Sequence, residues 1–169
     1  SKGRRAPGVL DCSVKPGNDK MKKPAMHVYE TRHVVDHSAE DMFALVARVE
    51  DYAKFLPLCE GVHVKRREQR ATQELLIAVM TVGYKFFRES FSTQVTLDEP
   101  ARNILVEYLD GPFSHLENRW YFEPLGEGRC AIHFYIAYSF RSRLFEHLDG
   151  GLFAKAVEIY TAAFEDRAD

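Results

Sequence analysis

The sequence predicts an α+β domain in which a curved antiparallel sheet of about seven strands wraps around one long C-terminal helix. Three observations carry this prediction. Hydrophobic side chains recur with helical spacing only near residues 38–56 and again after residue 142, whereas from Glu60 to Phe140 they alternate with polar ones. The alternating runs follow one another across short turn signals, as the strands of an antiparallel meander with one wet face do. The tail from Ser142 to Arg167 carries two neighbouring apolar stripes, wider than the ~100° face that a single packing contact needs.

The first run, HVYETRHVVD (27–36), is rich in β-branched and aromatic residues and reads as a strand. Ser38 then stands as an N-cap with Asp41 at the third helical position, a variant capping box. Met42, Leu45, Val46 and Val49 follow at i, i+3, i+4 and i+7, which gives a short helix with one buried stripe. A second turn, DYAKFL, must end before Pro57, whose ring disfavours helix in the residue before it. Val62 and Val64 mark the next strand and Leu75–Val82 the one after. In FFRESFSTQVTL (86–97), Phe87, Phe91, Val95 and Leu97 face one way, and Arg88, Ser90, Ser92, Gln94 and Thr96 the other. Ile104, Val106 and Tyr108 continue the alternation. After a Gly-Pro turn, Leu116, Asn118, Trp120 and Phe122 oppose Glu117, Arg119, Tyr121 and Glu123, and a last long strand runs through Ile132, Phe134, Ile136, Tyr138 and Phe140. In the tail, Phe145, Leu148, Leu152, Ala156, Ile159 and Ala163 form one stripe, and Phe153, Val157, Tyr160 and Phe164 the other. Gly150 and Gly151 interrupt this helix; they allow close packing on the sheet, mark the true helix start, or act as a hinge that swings RLFEHL over the interior. A sheet that grips a helix in this way leaves space along its concave face, and such spaces take apolar ligands.

Composition narrows the function. The 169 residues, 46% hydrophobic, suffice for one domain with a real core. The net charge of -2 hides an asymmetry: residues 1–25 hold seven Lys/Arg against Asp11 and Asp19, leaving 16 basic and 23 acidic side chains in residues 26–169. A part this acidic is a poor DNA binder. The basic stretch has no hydrophobic period and reads as a disordered leader, with Met21 or Met26 as the functional start and residues 26–169 as the domain. Arg4 and Arg5 raise a mitochondrial presequence as the alternative, which Asp11, Asp19 and two Pro-Gly steps oppose. Cys12, Cys59 and Cys130 are an odd set without C-x-x-C spacing, which argues against a disulfide framework and a zinc site and for a reducing compartment. His33 and His37 straddle a strand end and a cap and do not share one helical face, so no metal is expected. The run Leu75–Val82 is far short of the roughly 20 residues that span a bilayer. No P-loop, dinucleotide, G-x-S-x-G or H-E-x-x-H fingerprint occurs, so neither a catalytic set nor a cofactor is expected.

The segments MFALVARVEDYAKFLPLCEG (42–61), FRESFSTQVTLDEP (87–100), LDGPFSHLENRWYFEP (109–124) and YSFRSRLFE (138–146) resemble, in this order, the coenzyme Q-binding protein COQ10 family. That family lies within the START-like, polyketide cyclase/dehydrase superfamily, and the resemblance covers about residues 26 to 168. It implies a helix-grip fold whose cavity binds ubiquinone or another polyisoprenoid lipid and supports respiratory electron transfer without catalysis. The same family includes bacterial members described as ribosome association toxins, and more distant relatives are aromatase/cyclases. Ribosome binding and polyketide cyclase chemistry, with Glu89 or Tyr108 as acid/base, are therefore the alternatives. Leu58 is one departure, where the family often has Trp.

The candidate cavity residues follow from parity and turns. Phe87, Phe91, Leu116 and Trp120 from the sheet, with Leu148 and Leu152 from the helix, are expected to line it. Gly111 and Pro112 hold Phe113 at the sheet rim, either as a stable turn only or as part of an apolar mouth with Phe55, Leu56, Pro57 and Leu58. Glu89 shares parity with Phe87 and Phe91, so it needs a bulge, an ion pair or a ligand. Asn118 and Tyr108 are either hydrogen-bonded within the fold or donors to a quinone carbonyl. Lys65, Arg66, Arg67 and Arg70 in KRREQR read as a solvated hairpin or as a docking patch for anionic lipid or ribosomal RNA. The expected location is the bacterial cytoplasm, peripheral to the inner membrane, with the matrix side of the mitochondrial inner membrane as the alternative.

Overall fold

The computed structural model describes residues 25–84, 87–142 and 152–169. The leader and the segment 143–151, with Phe145, Leu148, Gly150 and Gly151, lie outside them. The elements run β1 (His27–Val35), α1 (Ala39–Ala47), a 3-10 helix (Val49–Lys54), β2 (Cys59–Arg70), β3 (Gln73–Tyr84), β4 (Phe87–Asp98), β5 (Asn103–Asp110), β6 (Phe113–Gly126), β7 (Arg129–Phe140) and α2 (Leu152–Ala168). All seven strands form one antiparallel sheet in the order β1-β7-β6-β5-β4-β3-β2. Strands β2 to β7 are a meander, and β1 closes the far edge beside β7.

Local chemistry explains the helical start. The Asp41 amide donates to the Ser38 hydroxyl at 3.0 Å, so the N-cap satisfies one of the free donors of α1. Met42, Val46 and Val49 are then buried on one stripe and Leu45 half-buried beside it. The alternation in β4 and β6 places Phe91, Val95, Leu97, Leu116, Trp120 and Phe122 in the core and leaves Arg88, Ser90, Arg119 and Tyr121 exposed. Fully burying each of these aromatic or aliphatic side chains contributes about 1.5–3 kcal/mol.

The long helix sits over the concave face, and its inward side is the stripe of Val157, Tyr160 and Phe164 with Ala156 and Thr161 flanking it. Ile159, from the other expected stripe, is exposed. Phe164 fixes the helix: its ring meets Trp120 at 5.2 Å, Tyr52 at 5.1 Å and Phe55 at 5.2 Å, all edge-on.

Candidate functional site

Between the sheet and α2 lies an apolar cavity of about 170 Å³. Every layer of the meander contributes to it. Val62 comes from β2, Ala78, Met80 and Val82 from β3, Phe91, Thr93 and Val95 from β4, and Ile104 and Val106 from β5. Leu116, Asn118 and Trp120 of β6 and Phe134 and Ile136 of β7 complete the sheet side. Val49, Tyr52, Leu56 and Leu58 close one end, where Leu58 adopts a left-handed φ of 65° and its carbonyl accepts from the Gly83 amide at 2.9 Å.

The polar groups of this wall are few and mostly committed. Asn118 donates through Nδ2 to the Tyr135 carbonyl at 2.9 Å and accepts through Oδ1 from the Trp120 indole at 2.7 Å. The side chain that the sequence left open is thus hydrogen-bonded inside the fold, while its flank still faces the cavity. Tyr52 donates its phenol proton to the Val46 carbonyl. Thr161 donates to the Glu158 carbonyl at 2.8 Å. The Tyr160 hydroxyl is buried without a partner. Burial, with the nearby Cys59 as a smaller cause, pushes the Tyr52 and Tyr160 phenols above the usual tyrosine range, so both are protonated donors at neutral pH. Burial likewise raises the Cys59 thiol.

Among the expected cavity residues, Leu56, Leu58, Phe91, Leu116, Asn118 and Trp120 line the cavity. The side chains of Phe87 and Leu152, and Leu148 altogether, lie outside the described residues. Five others are elsewhere. Phe113 is 2% exposed and is no mouth residue: it packs among Phe91, Tyr108, Tyr138 and Phe140. Tyr108 is not in the cavity wall; its phenol oxygen accepts from the Phe113 amide at 3.1 Å and so latches the turn, the bond within the fold that the sequence allowed. Phe55 and Pro57 are half-buried beside the cavity, Phe55 between Phe164 and the Arg167 guanidinium at 5.5 Å from the ring centre. Glu89 is half-buried and outside the wall, and β3 and β4 pair without interruption through Val82 and Glu89. The bulge falls three residues later and in the β4–β5 ladder, where Ser92 pairs with Asp110 and Thr93 with Tyr108, so Leu109 is extruded to the surface.

The basic hairpin is solvated and largely ion-paired. Arg67 pairs with Glu50 and Glu74, and Arg66 and Arg70 both pair with Glu68. Among the described residues Lys65 alone of the four lacks an ion-pair partner, so the hairpin offers polyanions far less charge than its sequence implies. No group of three or more His, Cys, Asp or Glu among the described residues is placed to hold a metal ion. No described helix is long and apolar enough to cross a membrane.

Sequence reasoning passed over Val49, Tyr52, Thr93, Tyr160 and Thr161 as wall residues. The signal for Thr93 was present, since it shares parity with Phe91 and Val95. The stripe containing Val157 and Phe164 equally marked Tyr160 as inward.

Comparison with known proteins follows the same lines. The family described as "Polyketide cyclase / dehydrase and lipid transport" matches residues 35–165. The chain is 32% identical over 135 residues to ribosome association toxin RatA of Escherichia coli (strain K12), covering 80% of this chain and 82% of that protein. It is 30% identical over 144 residues to coenzyme Q-binding protein COQ10 homolog B, mitochondrial, of Xenopus laevis, where it covers 83% of this chain but spans only 57% of the relative. Of solved structures, the 18 kDa protein CC1736 of Caulobacter crescentus has 32% identity and a TM-score of 0.69 over 84% of this chain and 95% of that one. A START superfamily protein of Mycobacterium smegmatis, 23% identical, shares the fold with a TM-score of 0.63 over 84% of this chain and 97% of its own.

Proposed function

From a chain that belongs to the polyketide cyclase/dehydrase and lipid transport family, we propose a carrier that holds ubiquinone or a similar polyisoprenoid lipid in the cavity and does not transform it. Such a carrier would support respiratory electron transfer by exchanging its lipid with a membrane that it touches peripherally. The observation that carries this reading is the cavity itself, apolar from every strand of the meander and from α2. Its volume of about 170 Å³ suits one ring or one prenyl unit, not a whole long-chain lipid. One five-carbon unit at ~0.8 kcal/mol per buried CH₂ contributes about 3–4 kcal/mol before ordering costs. Micromolar affinity, near -8 kcal/mol, takes two or three times that contribution, so contacts of the head ring must supply the rest. Tyr52 and Tyr160 carry pKa values moved away from neutrality, which suits binding better than proton transfer at that pH. The reading places the protein in the bacterial cytoplasm at the inner membrane, with the mitochondrial matrix side as the alternative.

The test is to purify the full chain from a quinone-producing host, extract it with organic solvent and identify co-purified lipid by mass spectrometry. A Trp120→Ala, Phe91→Ala double variant, checked for folding, is the control. Stoichiometric prenyl quinone that is lost in the folded variant supports the carrier. A protein that is empty and takes no quinone from liposomes rejects it.

A second reading, association with the ribosome, is favoured by the bacterial relative named for that property and matched over 82% of its length. It predicts salt-sensitive co-sedimentation with large ribosomal subunits. The paired state of Arg66, Arg67 and Arg70 leaves little free charge on the hairpin for that contact. Reversing all three to Glu therefore separates a role for this patch from a contact elsewhere on the molecule.

A further inference from the structure

Among the described residues, the Tyr160 hydroxyl is the buried polar atom of the cavity wall that the fold leaves without a partner. Its neighbours in the wall are provided for: Tyr52 by the Val46 carbonyl, Asn118 by Trp120 and Tyr135, Thr161 by the Glu158 carbonyl. A buried hydroxyl without a partner carries a free-energy penalty that a phenylalanine in the same place would not incur. Such an atom in a native interior calls for an explanation, and a cavity beside it supplies one. Thr93 adds a second buried hydroxyl to the wall from the sheet side. Everything else around the cavity is apolar or committed, so a bound oxygen atom would find its donor at Tyr160, with Thr93 as the other hydroxyl in reach of the cavity.

We propose that Tyr160 is the polar anchor of the cavity, donating a hydrogen bond to an oxygen of the lipid's head ring, which enters first while the prenyl chain leads outward. This assignment rests on the lipid-carrier reading and gives it an orientation. The volume of about 170 Å³ supports head-first entry, because an interior void near 150 Å³ accommodates one benzene-sized ring and a long chain would not fit behind it. Two consequences follow: an oxygen-bearing ring is required for tight binding, and tail length beyond the first unit matters little.

Trp120 is the chain's single tryptophan and lines the cavity, so its fluorescence reports occupancy. The full chain and a Tyr160→Phe variant are titrated with a short-tailed prenyl benzoquinone and, by competition, with a prenyl hydrocarbon of equal tail length that lacks oxygen. The expected result is about a tenfold loss of quinone affinity in the variant and no loss for the hydrocarbon. The ligand-free variant is expected to melt no lower than the parent, because the substitution removes an unpaired buried group. Equal changes for the two probes, no change for either, or a lowered melting temperature would overturn the anchor. A parent protein that binds the hydrocarbon as tightly as the quinone overturns the anchor and leaves the lipid reading standing. A parent protein that binds neither probe overturns the carrier reading and the anchor together.

Discussion

A Cβ placed on Gly111 would stand 2.7 Å from the Phe91 Cβ and 3.2 Å from the Ser90 carbonyl oxygen, so the β5–β6 turn rests directly on β4. Gly111 also has a φ of 143°, a conformation that side chains resist. The turn therefore ties the rim of the sheet to a cavity residue, since Phe91 belongs to both. Replacing Gly111 with Ala should cost about 2–4 kcal/mol from strain and overpacking. A urea titration would show this as a lower midpoint with unchanged slope. An unaltered midpoint would mean that the turn can move off β4.

Tyr108 serves the same turn. Its phenol oxygen is the acceptor for the Phe113 amide, in a region where Phe113 itself is buried. Tyr108→Phe is expected to lose about 1–2 kcal/mol of stability and to leave lipid affinity unchanged. Weakened binding with intact stability would restore Tyr108 as a ligand contact.

Asn118 is the hinge pin of the β6–β7 wall because one side chain satisfies both the Trp120 indole and the Tyr135 carbonyl. Asn118→Leu takes this partner from the Trp120 indole N–H and the Tyr135 carbonyl at once, so the expected loss is about 2–4 kcal/mol. The emission of Trp120 should shift as its indole N–H loses its acceptor. A variant with parental stability and emission would show that the two bonds contribute nothing.

The meander was legible because parity in β4 and β6 is nearly unbroken: a period of two in Phe91, Val95, Leu97 and in Leu116, Trp120, Phe122 admits one buried face. Depth along a strand is a different matter. Phe113 and Trp120 both point inward, yet one is packed among four rings and the other faces the cavity, and this depends on neighbouring strands far away in sequence. Tyr108 stayed open between a bond inside the fold and a ligand contact for a related reason, since only the Leu109 bulge and the turn bring Phe113 back onto its hydroxyl. The ion pairing of KRREQR was not legible because Glu50 lies 17 residues from Arg67 in sequence and only the fold brings them together. Tyr160 was placed on an inward stripe correctly, but that its hydroxyl lacks a partner is a property of the assembled interior.

Arg67 links the β2–β3 hairpin to the 3-10 helix through Glu50 and to β3 through Glu74, with its side chain half-exposed. Exposed pairs of this kind contribute about 0–1 kcal/mol and weaken with salt. Arg67→Ala should therefore lower stability by less than ~1 kcal/mol, and the loss should vanish in high salt. A larger, salt-insensitive loss would show that packing of the Arg67 stem, not its charge, holds the hairpin.

Ion pairs that reach across an intervening strand give the sheet a defined acid response. Arg88 on β4 forks onto Glu60 on β2 at 2.6 and 2.7 Å, passing over Gly83, whose missing side chain leaves room for the carboxylate. Arg32 on β1 reaches Glu123 on β6 at 3.1 Å across β7, and Arg102 in the β4–β5 turn holds Glu40 of α1 at 2.8 Å. The hydrogen bond from arginine is the leading cause that lowers each of these carboxyls below the ordinary value of 4.5. A carboxyl with a lowered folded pKa binds fewer protons in the native than in the unfolded state. Its contribution is therefore fully present above the ordinary value and is lost as pH falls through the lowered one. Stability measured by denaturant should hold between about pH 6 and 8 as far as these groups are concerned and decline below about pH 4.5. Glu60→Gln should lower stability at neutral pH and flatten part of the acid decline, because the neutral amide no longer titrates. If that variant keeps the full acid slope, the response comes from other carboxylates and the Glu60–Arg88 fork contributes nothing to the sheet's stability.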